Sequence, residues 1–190
     1  VRPDGFDIPY DSEQVHGIST ALAQKEGKPL AEVLKAFNSA LHEAKFVVGQ
    51  NVDFDINIMG AEFFRAEIKT PLTKLPILDT CTEKTAKLCQ IAGGRGGGFK
   101  LPTLTELHEF LFNEPFNEAH NATADVEATS RCFLELIRKA HFSEEKLQAE
   151  PGYVQAFQDK HPQPIELIGL KHINLKKASQ AIAKAESTAE

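Results

Sequence analysis

The sequence predicts an α/β fold, and three observations predict it. Phe46, Val47 and Val48 form a short apolar run, stopped by Gly49, that is too brief for a helix and suits a buried strand. Beyond a polar knot at residues 50–55, Ile56, Met59, Phe63 and Ala66 fall at helical spacing, so a helix begins near Asp55 and runs to about Ile68. A second brief apolar run, Pro76 to Leu78, ends in Asp79 and is followed by a helical stretch from Glu83 to Ile91. Strand end, polar side chains, helix start is where open α/β folds put chemistry. A carboxylate there is held by rigid elements on both sides while it faces a cleft, which makes Asp55 the first candidate functional residue. An Asp at a helix start also caps the first amides, and the residues alone leave both roles open for Asp53 and Asp55.

With 190 residues the chain is long enough for one domain with a proper core and an appendage. A composition 42% hydrophobic and 25% charged is that of a folded rather than a disordered chain. No apolar run approaches a membrane span and no secretory signal opens the sequence, so a cytoplasmic protein without membrane partners is expected. Cys81, Cys89 and Cys132 are odd in number and include no C-x-x-C pair, so reduced, buried thiols are expected; zinc would need a fourth ligand that the spacing does not announce. The formal net charge of -6 repels nucleic acid in the far field. That argues against a stoichiometric DNA coat protein, but not against an enzyme that grips a few nucleotides locally or is delivered by a partner.

In order along the chain, Pro3, Gly5 and Pro9 break regular structure in residues 1–20. The opening residues resemble the end of a strand already under way, and part of the domain is expected to precede this numbering. Pro29 opens an amphipathic helix with Leu30, Val33, Leu34, Phe37, Ala40, Leu41 and Ala44 on one face. Five glycines in residues 93–98 invite a phosphate-loop reading, but the Lys-Ser/Thr pair and a preceding strand are missing. A flexible surface loop is expected there, with Arg95 and Lys100 within reach of a phosphate. Thr103 and Glu106 have capping-box spacing ahead of Leu104, Leu107, His108 and Leu111, and His108 on that face reads as a satisfied structural histidine. A loop then delivers His120 and Asp125, with Val126, Thr129, Phe133, Leu136, Ile137 and Ala140 at helical spacing behind them.

Beyond residue 142 the character changes. Residues 143–150 are charged, Pro151, Pro162 and Pro164 interrupt, residues 165–170 suit a short strand, and residues 176–190 are rich in Ala and Lys with a weak apolar face. Residues 143–190 therefore read as a linker or docking segment behind a domain at residues 1–142.

Two Asp at helix heads, with a His five residues ahead of the second, suggest metal-assisted hydrolysis. Paired carboxylates suit hard cations such as Mg²⁺ or Mn²⁺, and a His takes a proton from a metal-bound water at neutral pH. Gln50-Asn51-x-x-Phe54-Asp55, His120-x4-Asp125, His16-Gly17-Ile18-Ser19 and Leu78-Asp79-Thr80 extend the pattern over roughly residues 1–140. In order and spacing this chain resembles the DEDDh-type 3′–5′ exonucleases, the family of the proofreading epsilon subunit of bacterial replicases. The glycine-rich insertion and the segment from Leu101 to His108 are similar to exonuclease domains fused to or paired with the DNA polymerase III alpha subunit.

The resemblance implies a ribonuclease H-like fold, a mixed central sheet flanked by helices. It implies two divalent ions, Mg²⁺ or Mn²⁺, held by four acidic residues, and release of nucleoside 5′-monophosphates from a DNA 3′ end, single-stranded or frayed. By position, Asp55 and Asp125 are metal ligands and His120 is the general base. Asn51 and Phe54 line the pocket of the terminal nucleotide beside Gln50, and His16 and Ile18 lie near its base or sugar. DNA polymerase III subunits are the implied partners.

The chain also departs from the pattern. The first motif, Asp-x-Glu on the opening strand, is absent from residues 1–20, where Asp11 and Glu13 stand in a Pro-bounded loop. The N-terminal strands that carry it are expected upstream of residue 1. Gln50 replaces the usual His but keeps a polar side chain. An RNA- or oligonucleotide-trimming relative, and a catalytically inactive nucleic-acid-binding or polymerase-docking module, are the alternative readings, the second turning on the missing Asp-x-Glu.

Overall fold

The computed structural model describes residues 1–116 and 122–166. In chain order its elements are α1 (Tyr10–His16), α2 (Thr20–Glu26), α3 (Leu30–Glu43), β1 (Val47–Gly49), α4 (Asp53–Arg65), β2 (Ile77–Asp79), α5 (Glu83–Cys89), a 3₁₀ turn at Arg95–Gly97, α6 (Leu104–Phe112), α7 (Ala122–Arg138) and α8 (Tyr153–Lys160). Contacts divide them into two units: Val1–Ala44 with Asp55–Leu75, and Lys45–Phe54 with the described residues from Pro76 to Glu166.

The first unit is helical. The residues read as an irregular stretch contain α1, so Asp11 and Glu13 belong to its first turn rather than to a loop. Pro9 does not prevent this, because it precedes the helix, where a fixed φ suits the entry and no amide is missed. Gly17 ends α1 at φ 75, with its N–H bonded to the Glu13 carbonyl. Ser19 caps α2 by accepting the Leu22 N–H at 3.1 Å. The first residues are tied to α2 by Gln24 donating to the Pro3 carbonyl at 2.8 Å and by the Ile8 N–H bonding to the Thr20 hydroxyl at 2.8 Å.

In α3 the buried side chains are Leu34 and Leu41, two turns apart, while Leu30 and Phe37 of the expected apolar face stay exposed. Phe37 stacks on Phe63 at 6.2 Å. α4 starts two residues before the expected Asp55 and ends at Arg65. Glu67 takes the left-handed conformation at φ 54, and the Glu67 and Ile68 amides close onto the carbonyls of Phe64 and Phe63.

The second unit is built on α7. Its row Ala124, Ala128, Cys132 and Leu136 is buried, and Phe133 and Ile137 complete a core with Leu78, Leu107, Leu111, Phe142 and Leu147. β1 and β2 pair in parallel, Val47 opposite Ile77, Val48 opposite Leu78 and Gly49 opposite Asp79. α6 begins with the expected capping box: Thr103 accepts the Glu106 N–H at 3.2 Å and Glu106 accepts the Thr103 N–H at 2.8 Å.

The segment after α7 folds back on this core. Phe142 and Leu147 are inside it, and Val154 and Phe157 of α8 pack against it. Ile165 is then fastened to α7 from both sides of its peptide. Its N–H bonds to Glu135 at 3.1 Å, and its carbonyl accepts from Arg131 at 2.7 Å.

Many helices together with a small parallel sheet make this an α/β protein. Among the described residues the sheet has two strands, so the mixed central sheet implied by the resemblance is not formed within them. The expected strand at 165–170 has its first two residues outside any strand; the rest of it, and the Ala- and Lys-rich stretch at 176–190, lie outside the described residues. No helix among the described residues is long and apolar enough to cross a membrane.

Candidate active site

The polar knot after β1 is fixed by β2. The Thr80 N–H meets the Gly49 carbonyl at 2.9 Å, continuing the strand pairing by one residue. The Thr80 hydroxyl, wholly buried, shares its single proton between that carbonyl, at 3.0 Å, and the Gln50 side-chain carbonyl. Gln50 donates its amide to the Pro102 carbonyl at 2.7 Å. Both ends of the Gln50 side chain are thus engaged within the protein.

Asp79 does the remaining work of shaping the turn. Its carboxylate accepts three backbone amides, Asn51 at 2.9 Å, Val52 at 3.0 Å and Cys81 at 2.6 Å. Asn51 turns the chain in the left-handed region at φ 57, and Val52 is buried beneath it. Gly49 is required here for space, since a Cβ would stand 2.5 Å from the Val52 side chain. With Val52 held, α4 begins at Asp53, and Asp53, Phe54 and Asp55 occupy its exposed first turn.

The other expected site residues are placed as follows. Asp125 is half-buried in the first turn of α7, next to the buried Ala124. His16, at the end of α1, accepts the Ile18 N–H on Nδ1 at 3.0 Å; any proton of the neutral ring is therefore on Nε2. His120 lies outside the described residues. Asn51, Phe54, Gln50 and Asp125 belong to the second unit, whereas Asp55, His16 and Ile18 belong to the first. Phe54 is 68% exposed, an unusual position for a large aromatic side chain and one open to a stacking ligand.

Among the described residues no three His, Cys, Asp or Glu side chains converge as a metal site. Asp55 and Asp125 are two of the four acids that the resemblance asks for, so the described donors do not by themselves constitute a two-ion centre. The thiols offer no alternative nucleophile. Burial, reinforced by Glu106, pushes the Cys89 thiol up to about 11, and burial pushes Cys132 up to about 12. Cys81 is raised by burial and by the Asp79 carboxylate beside it.

His108 is a structural residue, as expected. It is buried against Phe112 and Phe116, accepts from Arg131 on Nε2 at 3.1 Å, and faces the Glu114 carbonyl with Nδ1 at 3.3 Å. Burial, and to a lesser degree the Arg131 charge, hold its pKa below the ordinary histidine value. The residue whose role sequence reasoning missed is Asp79. Its signal was present, an Asp ending an apolar run with Thr directly after it, but its partners are amides 27 and 28 residues earlier.

No curated protein matches the chain. A family model for exonucleases, RNase_T, matches residues 1–133, a span that takes in the knot after β1, the Asp79 clamp and the head of α7. That match covers well over half of the 190 residues, and the chain belongs to the RNase_T exonuclease family, whose nuclease chemistry is directed at nucleic-acid phosphodiester bonds.

Proposed function

We propose that the chain is a 3′–5′ exonuclease that removes nucleoside 5′-monophosphates from a single-stranded or frayed DNA 3′ end, proofreading beside DNA polymerase III in the cytoplasm. The observation that carries the reading is the turn after β1. Asp79 fixes the amides of Asn51 and Val52, which sets where α4 starts and so where Phe54 and Asp55 stand. A nuclease that acts on a chain end needs this kind of rigid support for the groups around its terminal nucleotide. In this reading Asp55 and Asp125 are metal ligands, His120 is the general base, and Asn51, Phe54, Gln50, His16 and Ile18 surround the terminal nucleotide. Dependence on Mg²⁺ or Mn²⁺ belongs to the same reading and rests on the resemblance.

The test is a 5′-labelled single-stranded oligonucleotide incubated with the chain, and with the chain extended upstream, in Mn²⁺ and in EDTA. One-nucleotide shortening from the 3′ end, abolished by EDTA and by Asp125→Asn, is the expected result. Absence of any shortening with both chains, or release of the labelled 5′ nucleotide first, overturns it. The proposed polymerase docking through residues 143–190 is best tested by deletions that start after Ile165, because Phe142 and Leu147 are core residues and Ile165 is fastened to α7.

A further inference from the structure

The second unit carries a basic surface that the proposed catalytic groups do not use. α5 stands between two clefts, and Glu83 and Lys87 line both. One, of about 480 Å³, is bounded by Asp79, Lys84, Lys87, His141 and Lys146. The other, of about 880 Å³, is bounded by Lys87, Arg95, Phe99, Lys100 and Leu101 around the glycine-rich turn.

On a chain with a formal net charge of -6 this convergence of cations is a local exception. Lys84 and Lys87 are three residues apart on one helix face. Among the described residues Lys84, Lys87, Arg95 and Lys146 make no salt bridge, and Lys84 spends one proton on the His141 carbonyl while keeping its charge. Lys100 is different, being paired with Glu106 at 2.7 Å. Of the two acids in the linings, Asp79 is already engaged by three amides, which leaves Glu83. The His141 imidazole registers the result: burial first, then the ammonium groups of Lys84 and Lys146, push it down to about 4.

The surface also carries an aromatic platform. Phe99 is 46% exposed beside Leu101, and the turn before it presents backbone rather than side chains, with open space around Gly93, Gly96 and Gly97. The 3₁₀ turn and the bridge between Ala92 and Phe99 hold that platform in place. Cations lining two clefts that share Lys87, with an exposed ring and a bare backbone approach, are the features that grip a single strand without reading its sequence. An acidic polypeptide would use the cations but has no use for the ring.

We propose that α5 and the glycine-rich turn form a track for single-stranded nucleic acid, with Lys84, Lys87, Arg95 and Lys146 holding phosphates and Phe99 stacking a base. The track reaches Asp79 and hence the Asn51–Val52 turn, so it carries the strand that leads to the terminal nucleotide. Its connection to catalysis rests on the exonuclease reading.

The probe is a fluorescein-labelled oligothymidylate of about 20 nucleotides, bound to the full chain in EDTA and followed by anisotropy over a salt series. Each phosphate contact contributes about 0.7 to the slope of log K against log salt for single strands, so neutralising all four cations by Lys→Gln and Arg→Gln lowers the slope by about 2 to 3. Phe99→Ala alone weakens binding roughly tenfold. An unbound probe, or unchanged affinity and slope in the fourfold variant, overturns the track. So does a labelled polyglutamate that binds the wild type and is lost in that variant while oligothymidylate binding is unchanged, which assigns the face to an acidic protein. Shortening of an unlabelled trinucleotide in Mn²⁺, by the chain and by the chain extended upstream, tests the exonuclease reading separately, because the anisotropy titration is run in EDTA and reads binding without hydrolysis.

Discussion

Asp79, the last residue of β2, accepts the backbone N–H of Val52 at 3.0 Å across the end of the parallel pair. One carboxylate therefore decides where the chain leaves β1 and where α4 begins. Asp79→Ala removes the acceptor for three amides, one of them belonging to a buried residue. Hydrogen bonds to a charged group are worth about 1.5–3 kcal/mol, and exposed amides recover part of that from water. The expected loss of stability is about 2–3 kcal/mol for Ala and about 1 kcal/mol for Asn, which keeps one acceptor oxygen. Urea unfolding of the two variants checks the order. On the exonuclease reading, nucleotide release falls in the same variants, because the turn holds Asn51 and sets where α4 begins.

A second prediction concerns α7 and the returning segment. Glu135 has no exposed surface, pairs with Arg138 at 2.5 Å and holds the Ile165 N–H, while Arg131 lies 3.7 Å over the Phe112 ring, meets Glu114 at 2.8 Å and holds the Ile165 carbonyl. Removing one member of such a buried arrangement leaves its partner uncompensated, at a cost of about 3–5 kcal/mol. Glu135→Ala should therefore lower the unfolding free energy by about 3 kcal/mol and Glu135→Gln by less. Proteolysis after α8 should accelerate in both, since the anchor of Ile165 is what they weaken. Equal protection in Glu135→Ala and wild type would show that Ile165 is held by Arg131 alone.

The elements that sequence reasoning found are those whose signal is local. The β1 run, the capping box of α6 and the helix α7 depend on residues within a turn or two of one another and formed, although on the α7 face only Phe133, Leu136 and Ile137 of the expected residues are buried, Val126 is exposed and Ala140 lies beyond the helix at φ 53. α1 escaped because prolines dominate the reading of residues 1–20, although Pro9 stands one residue before the helix, where it is harmless. α3 buries a narrower stripe than its pattern offers: Leu34 and Leu41 are buried, Leu30 stays exposed, and Phe37 has one face on Phe63 and the rest of its ring exposed. Asp55 and Asp125 were legible as helix-head carboxylates. Asp79 was not legible as a clamp, because its amide partners come from the opposite end of a crossover.

The three thiols should be poor nucleophiles in the folded chain. Cys89, pushed up to about 11 by burial and Glu106, is about two units above the ordinary thiol value. Its thiolate fraction near pH 8 is then about 100-fold below that of a free cysteine. Cys132, pushed up to about 12 and wholly buried, should react only as the chain unfolds. Timed reaction with a chromogenic disulfide, in buffer and in denaturant, measures both. Rapid modification of Cys132 in buffer would mean that α7 opens locally on the assay timescale.

Stability should fall on mild acidification, and His141 gives the window. Its ring is nearly buried beside Phe142, 3.3 Å from the Thr85 hydroxyl, and faces the ammonium groups of Lys84 and Lys146, so its pKa drops to about 4 from an ordinary 6.5. A histidine depressed in the folded state binds its proton more readily when unfolded. Its contribution is therefore fully present above pH 6.5, is lost as pH falls through the interval between the two values, and is exhausted below about 4. Between pH 7.5 and 5 the expected loss is about 1–2 kcal/mol. His108, also held below its ordinary value by burial, contributes in the same direction and blurs the upper edge of the window. His141→Asn removes the first of these contributions and keeps a polar group near Thr85. Urea titrations at the two pH values should then differ by at least about 1 kcal/mol less in the variant than in the wild type. An identical pH dependence in both would place the acid sensitivity in the carboxylates instead, among which Glu106 and Glu114 are held below their ordinary value mainly by Lys100 and Arg131 and so release their stabilisation only at lower pH.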